Sequence, residues 1–337
     1  VVPVNQLDVT DEAALRQAHA ATERSAAVDR PWFEPQPYDE WVAEVRHLDA
    51  GERQEWWAAY DGGQVVGTAH ASVPLWSNTW VVWVTLHVDP DFRGQGHGTA
   101  LVEALVERTR ELGRTSLMVE FHVPGDDLEG HPYRRFATAR GFEPIWVENV
   151  RHLPLPVPDD LLDRTGERSA KAATAYDIQV FAGRVPVEHL PGRCELHSLL
   201  GVDAPTGSVQ FEAGAMTPER MRSRDALEEQ QGRVRLTALA IARDTRAVAA
   251  HSDLVVPPAP STQVWQWGTY VHRDHRGHQL GMATKVANLR YLQEHFPGRT
   301  LVRTSNADNN AHMVSINEDL GFELVERAPR MGRTVSE

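Results

Sequence analysis

Leu86-His87-Val88-Asp89-Pro90-Asp91-Phe92-Arg93-Gly94-Gln95-Gly96-His97-Gly98-Thr99-Ala100 is the stretch on which the reading of this chain turns. Its left side ends a strand, because Trp80 to Val88 is rich in β-branched and aromatic residues. Its right side opens an amphipathic helix with Leu101, Ala104, Leu105 and Leu112 on one face. Between them lies Arg93-x-x-Gly96-x-Gly98. The first turn of a helix has unpaired N–H groups and the positive end of the macrodipole. Glycines there let a pyrophosphate approach the backbone closely. Arg93 and His97 can add positive charge. Gly94 to Thr99 therefore reads as a phosphate cradle rather than a plain glycine-rich turn. It is not a Walker loop, which ends in Gly-Lys-Ser/Thr. It is not a dinucleotide fingerprint either: counted from Gly94, the last glycine is replaced by Thr99.

The same grammar occurs twice along the chain. Strand, Arg-Gly loop, helix, strand, helix and Gly-Phe run from Trp80 to Gly141-Phe142, and again from Val264 to Gly321-Phe322. The second loop is Arg276-Gly277-His278-Gln279-Leu280-Gly281, and its helix aligns Val286, Leu289 and Phe296. From the arginine to the glycine of Gly-Phe is 48 residues in one half and 45 in the other. That period is too long for a solenoid and indicates duplicated domains. Asp61-Gly62-Gly63 marks a hairpin upstream of the first loop, and Asp244-Thr245-Arg246 lies at the matching point of the second half. Helices are expected over 12–24, 39–48, 187–200 and 218–231, and a strand over 176–181. Leu153-Pro154-Leu155-Pro156-Val157-Pro158 interrupts regular structure. The expected domains are 1–158 and 172–337, joined by a linker at about 159–171 and packed through exchanged or adjoining sheet edges.

The totals narrow the function. The 337 residues suit two ordinary domains. A net charge of −13 argues against nucleic acid, which needs clustered cations, and suits a cationic acceptor as well as plain solubility. No apolar run approaches the ~20 residues that span a bilayer. No signal peptide is visible at Val1-Val2-Pro3, and a cytoplasmic setting is expected. Cys194, the single cysteine, can form no internal disulfide and is expected as a small buried side chain. Lysine occurs only at 171 and 285 while Arg, Ala and Val abound, a bias of GC-rich bacterial genomes. The loop from His122 to His131 holds Asp126, Asp127 and Glu129, but without metal-ligand spacing, and no metal is expected.

The strand ending Leu86-His87-Val88-Asp89-Pro90, the Arg93-x-x-Gly96-x-Gly98 loop and the later Gly141-Phe142 resemble the acyl-CoA-binding motif of the GNAT acetyltransferase superfamily. The resemblance covers nearly the whole chain, twice, as in tandem GNAT proteins laid out like mycothiol synthase. It implies an α/β fold: two mixed sheets, each flanked by helices and splayed between its fourth and fifth strands. It implies acetyl-CoA or another acyl-CoA as co-substrate, with its pyrophosphate on Gly94, Gln95, Gly96, His97, Gly98 and Thr99 beside Arg93. The pantetheine arm would pair along Leu86 to Val88, and the Val88 N–H would polarise the thioester carbonyl. By the same resemblance the second half offers Val271, Arg276, Gly277, His278, Gln279, Leu280, Gly281, Met282 and Asn310, the last also readable as a helix cap. The reaction implied is N-acylation of a primary amine on a small molecule, by a monomer or homodimer.

Departures from the family pattern bear on the chemistry. Gln279 stands where the first loop has Gly96, so the second cradle reads as modified or retired. The tyrosine that often serves as general acid is replaced by Ala137 and Asn317; Tyr133, one turn earlier, is a substitute or a packing residue. For the base, Glu120 and His87 are the leading candidates, with His122 near the same strand end. Trp56, Trp57, Trp76, Trp80 and Trp83 are expected mainly in the core, with one or two lining an acceptor pocket. Two further readings stay open: a non-catalytic acyl-CoA-binding or scaffolding protein, and a GNAT-fold enzyme using another acyl donor.

Overall fold

The computed structural model describes residues 2–125, 127–203, 207, 209–212 and 214–335. The chain forms two compact units that interleave in sequence. One takes Val1–Glu148, Gly207–Val209 and Glu326–Glu337, and the other takes Asn149–Thr206 and Gln210–Val325.

The first unit begins with β1 (Val4–Gln6), α1 (Glu12–Ala26) and α2 (Tyr38–Arg46). Asp11 starts α1 by accepting hydrogen bonds from the N–H groups of Ala13 and Ala14 at 3.0 and 3.1 Å. The hairpin β2 (Glu52–Asp61) and β3 (Gln64–Pro74) turns on Gly62 and Gly63, both at positive φ. There follow β4 (Val81–Val88), α3 (His97–Glu111), β5 (Ser116–Glu120), β6 (Val123–Pro124) and α4 (Pro132–Thr138). Strand β7 (Glu143–Pro154) leaves the first unit at Glu148 and enters the second.

The second unit continues with α5 (Asp159–Ala172), β8 (Tyr176–Ala182), α6 (Leu190–Asp203) and α7 (Pro218–Gln230). Then come β9 (Val234–Ala242), β10 (Val248–Val256), β11 (Gln263–Val271), α8 (Leu280–His295), β12 (Leu301–Ala307) and α9 (Ala311–Asp319). The last strand, β13 (Glu323–Thr334), passes back to the first unit at Glu326.

Each unit has a mixed sheet of the same order. In the first it runs β1-β2-β3-β4-β5-β13, with β4 and β5 parallel. In the second it runs β8-β9-β10-β11-β12-β7, with β11 and β12 parallel. Parallel neighbours need a crossover, and α3 and α8 supply it. The helix faces read from the sequence lie against these sheets. Leu101 and Leu105 pack with Val82, Val84, Leu117, Phe142 and Met331. Val286 and Leu289 pack with Val264, Val302, Leu320 and Phe322. The two Gly-Phe pairs share one cause. Gly141 and Gly321 turn the chain out of α4 and α9 at φ 76 and 89, and the phenylalanine drops into the core.

Three boundaries differ from expectation. The first expected domain, 1–158, ends instead at Glu148, where β7 crosses into the second unit. The segment 159–171, read as a linker, is α5, packed on α8 with Leu162 in the core of the second unit. Its polar, small composition suits the outer face of a helix. The expected domain 172–337 loses its last strand to the first unit, because residues 326–335 pair with β5 and β6. Cys194 is buried as expected.

Candidate functional site

The first site begins where two strands part. β4 pairs with β5 through Val81–Val84 against Ser116–Val119. It then runs on through Thr85, Leu86, His87 and Val88 against β3 alone, from His70 back to Gly67, while β5 ends at Glu120. The edge at Leu86 to Val88 that faces away from β3 is thus not used in the β5 ladder. β11 does the same in the second unit: it pairs with β12 only over Gln263–Trp265, and continues to Val271 against β10.

The loop after β4 has cradle geometry. Gly94 and Gly96 sit at φ 76 and 93, and Gly96 is the residue that enters α3. A side chain on Gly94 would meet open space, so the backbone there faces outward. Gly98 is different, since a Cβ would lie 3.1 Å from Phe136 Cζ. It is a glycine because α3 packs tightly on α4. Gln95 is exposed and donates from Nε2 to the Asp91 carbonyl at 3.3 Å. Thr99 Oγ1 accepts from Arg140, whose guanidinium lies over Phe136. Arg140 is not singled out by the sequence, yet it brings a cation to the first turn of α3.

Two expected charges act otherwise. His97 is 4% exposed and packs its ring against Phe92, so its side chain does not face the cradle and only its backbone does. Arg93 is engaged within the protein. Its Nε donates to the Val88 carbonyl at 3.1 Å, its Nη2 donates to Ser25 Oγ at 3.1 Å, and it covers the Tyr133 ring. It ties the loop to the parted end of β4 and to α1. Tyr133 is held by this contact and by the edges of Phe121 and His131, a packing role.

Beside the splay the acid–base candidates cluster. Glu120 Oε2 is 2.6 Å from Arg330 Nη2, which stands opposite it in register on β13. Arg330 also lies over the rings of Trp83 and Trp146. His87 is partly exposed, and its imidazole is pushed down to about 4 by burial first and then by His122, Arg30 and Arg93. It is neutral at neutral pH. A residue not read from the sequence sits at the centre. Glu326 is 1% exposed and accepts from Arg30 Nε and Nη2 at 2.6 and 2.7 Å, from Trp32 Nε1 at 3.3 Å, and faces His122 Nδ1 at 3.1 Å. Burial alone would raise its carboxyl. The hydrogen bonds and charges of His122 and Arg30 outweigh burial and hold it well below the usual range. Nothing local in the sequence joins residue 30 to residue 326.

Of the tryptophans, Trp56 stacks on His70 and meets Trp41, Trp57 packs on the core, and Trp76 is 43% exposed. Asp126 lies outside the described residues. Among those described, no cluster of histidine, cysteine and carboxylates could hold a metal.

The second unit has a cavity of about 660 Å³, lined by Val271, Arg276, Gly277, Gln279, Leu280, Gly281, Met282 and Asn310 among others. Gln279 adopts φ 52 at the entry of α8, the place and hand of Gly96. Gly281 repeats Gly98, with a Cβ position 3.3 Å from Ile316 Cδ1. Asn310 caps α9 by accepting from the Met313 N–H at 3.3 Å, and it also lines the cavity. His278 is exposed, with its ring 5.4 Å from that of Tyr176. Arg276 is held by Asp203 at 2.9 Å, and Asp203 also accepts from Tyr270 and Arg273. These partners keep the Asp203 carboxyl down at about 2. Asn317, at the expected acid position, is buried and accepts from Lys285 Nζ at 3.1 Å.

Residues 18–142 match the Acetyltransferase (GNAT) family. Among solved structures, the chain is similar to a tandem GNAT protein from the clavulanic acid biosynthesis pathway. Identity is 24%, the match covers 100% of this chain and 99% of that one, and the TM-score is 0.82. It is also similar to a GCN5-related N-acetyltransferase from Sphaerobacter thermophilus at 18% identity, covering 100% and 96%, with a TM-score of 0.62. At these identities the likeness is one of fold. No curated protein matches.

Proposed function

We propose that this chain is an acyltransferase of tandem GNAT build that moves an acetyl or other short acyl group from acyl-CoA to the primary amine of a small molecule. The observation that carries the reading is the join of two features in the first unit. A strand edge is left at Leu86–Val88 where β4 parts from β5, and an outward-facing glycine backbone at Gly94–Gly96 opens α3 directly after it. The first suits an extended pantetheine arm, and the second suits a pyrophosphate at a helix N-terminus.

In this reading the backbone from Gly94 to Thr99 holds the phosphates, with Arg140 adding charge. The thioester supplies the electrophilic carbonyl, toward which the Val88 N–H is directed. Glu120 and His87 line the amine side. Glu120, paired with Arg330, offers a carboxylate to an approaching ammonium. His87 offers a neutral imidazole. The second unit's cavity supports a second acyl-CoA site on Val271, Arg276, Gly277, Gln279, Leu280, Gly281, Met282 and Asn310. The net charge of −13 favours a cationic small acceptor.

Calorimetric titration with acetyl-CoA tests this on the wild type and on Gly96→Glu. We expect binding to the first unit, weakened at least tenfold by Gly96→Glu. A second stoichiometric site would belong to the second unit. Absence of binding to acetyl-CoA and to longer acyl-CoAs would overturn the transferase reading.

A further inference from the structure

We propose that His122 is the base of the first site and that Glu326, carried on the last strand of the chain, is the residue that positions it. This rests on the acyl-transfer reading above. His122 Nδ1 lies 3.1 Å from Glu326 Oε1. An ionised carboxylate only accepts hydrogen bonds, so neutral His122 carries its proton on Nδ1 and presents a lone pair on Nε2. Nε2 is 3.9 Å from Glu120 Oε1, and the imidazole is 27% exposed. An ammonium arriving between the two meets a carboxylate on one side and a basic nitrogen on the other.

Glu326 cannot be the base itself. It is buried, and Arg30, Trp32 and His122 already engage its oxygens. Its work is to set the tautomer of His122 and to stabilise the imidazolium, as the third member of nucleophile–base constellations does. The charged and titratable groups facing His122 come from several elements. Glu326 comes from β13, Glu120 from β5 and His87 from β4, while Arg30 and Arg330 stand on the two carboxylates. Arg30 balances Glu326, and Arg330 balances Glu120. His87 is held neutral and adds no charge at neutral pH.

Atoms and electrons balance in this step. The ammonium gives one proton to His122 Nε2. The freed lone pair forms the carbon–nitrogen bond while the carbon–sulfur bond breaks, its electron pair leaving on sulfur. The second nitrogen proton passes to the thiolate through solvent, and His122 releases its own to solvent. Glu326 lies 184 residues beyond the end of the family match, so the family segment alone lacks the residue that orients its base.

The test uses the full chain, acetyl-CoA, and glucosamine, phenethylamine, putrescine and glycine as probe amines, with thiol release as the readout. His122→Gln should lower kcat about 100-fold, a typical share for a general base, with acetyl-CoA affinity within about threefold of wild type. Glu326→Gln should lower kcat about tenfold and move the acidic limb of the kcat/KM profile to lower pH. His122→Gly should regain activity with added imidazole. A His122→Gln enzyme that binds acetyl-CoA and turns over within threefold of wild type overturns the proposal. Nitrogen NMR of the His122 ring gives a readout independent of turnover and of variant folding. The Nδ1-protonated tautomer is expected in the wild type, and the Nε2-protonated tautomer overturns the assignment. A wild type with the expected tautomer that binds acetyl-CoA but acylates none of the probes would count against the small-amine reading alone.

Discussion

Gly96 and Gln279 occupy one place in two loops, and the difference between them is local. Both enter a helix from the left-handed region, at φ 93 and 52. That conformation costs an L-residue roughly 1–2 kcal/mol and glycine nothing. Gly96→Gln should therefore destabilise the first unit by about 1 kcal/mol, read from a urea melt. Gln279→Gly should be nearly neutral, because the relief is offset by the chain entropy of glycine, about 0.5–1 kcal/mol. If the second cradle is limited only by its side chain, the same variant should tighten acetyl-CoA binding there about tenfold in a calorimetric titration. An unchanged affinity would point to Asp203, which holds Arg276, as the stronger obstacle. Lys285 is a second case at this scale. Burial pushes its ammonium down to about 7. The unfolded chain keeps that proton up to pH 10 or so, hence stability should rise with pH between 7 and 10. Lys285→Met should flatten that rise and stabilise the protein chiefly below pH 7, where the buried ammonium costs most.

At the scale of elements, the site is set by how far one strand outruns its neighbour and how closely a helix follows it. α3 lies against α4 at Gly98, where a Cβ would sit 3.1 Å from Phe136. Gly98→Val should cost about 2 kcal/mol through overpacking. It should also weaken acetyl-CoA binding by displacing the first turn, measured by the same titration. Arg93, expected on phosphate, instead joins three elements: β4 through the Val88 carbonyl, α1 through Ser25, and α4 through Tyr133. The spacing of Arg93 from Gly96 is legible in the sequence because the backbone turn demands it. The target of its guanidinium is not, because Ser25 lies 68 residues away.

Over the whole molecule, acid should be the weak side. His70, His87 and His251 are each pushed down to about 4, with burial the largest cause. Between pH 4 and 6.5 the unfolded chain holds more protons at these sites, so stability falls as pH drops through that window. Glu23, raised to about 7 by burial, works in the opposite direction between 4.5 and 7. His197, pushed down to about 2 by burial, adds a fourth imidazole on the losing side, and the four outweigh Glu23. The urea midpoint followed by tryptophan fluorescence should be clearly lower at pH 5 than at pH 7. An unchanged midpoint would mean that these imidazoles are not held neutral.

The duplicated order of elements and the two cradles can be read from the residues alone, whereas the splay of each sheet is only what the family resemblance implies. Strand alternation, helix faces, glycine turns and Gly-Phe caps are all written within a few residues of where they act. The histidines and carboxylates near the end of β5 can be nominated from sequence for the same reason. Which of them work together is settled only once the chain has folded. Glu326 meets Arg30 across 296 residues, and the last strand completes the first unit rather than the second. Such pairings follow from the closure of a sheet by a distant strand, and no local period or spacing records which strand will close it. Folding also settles that His97 turns inward, since a helix's first residue reads the same in sequence whether its side chain meets solvent or core.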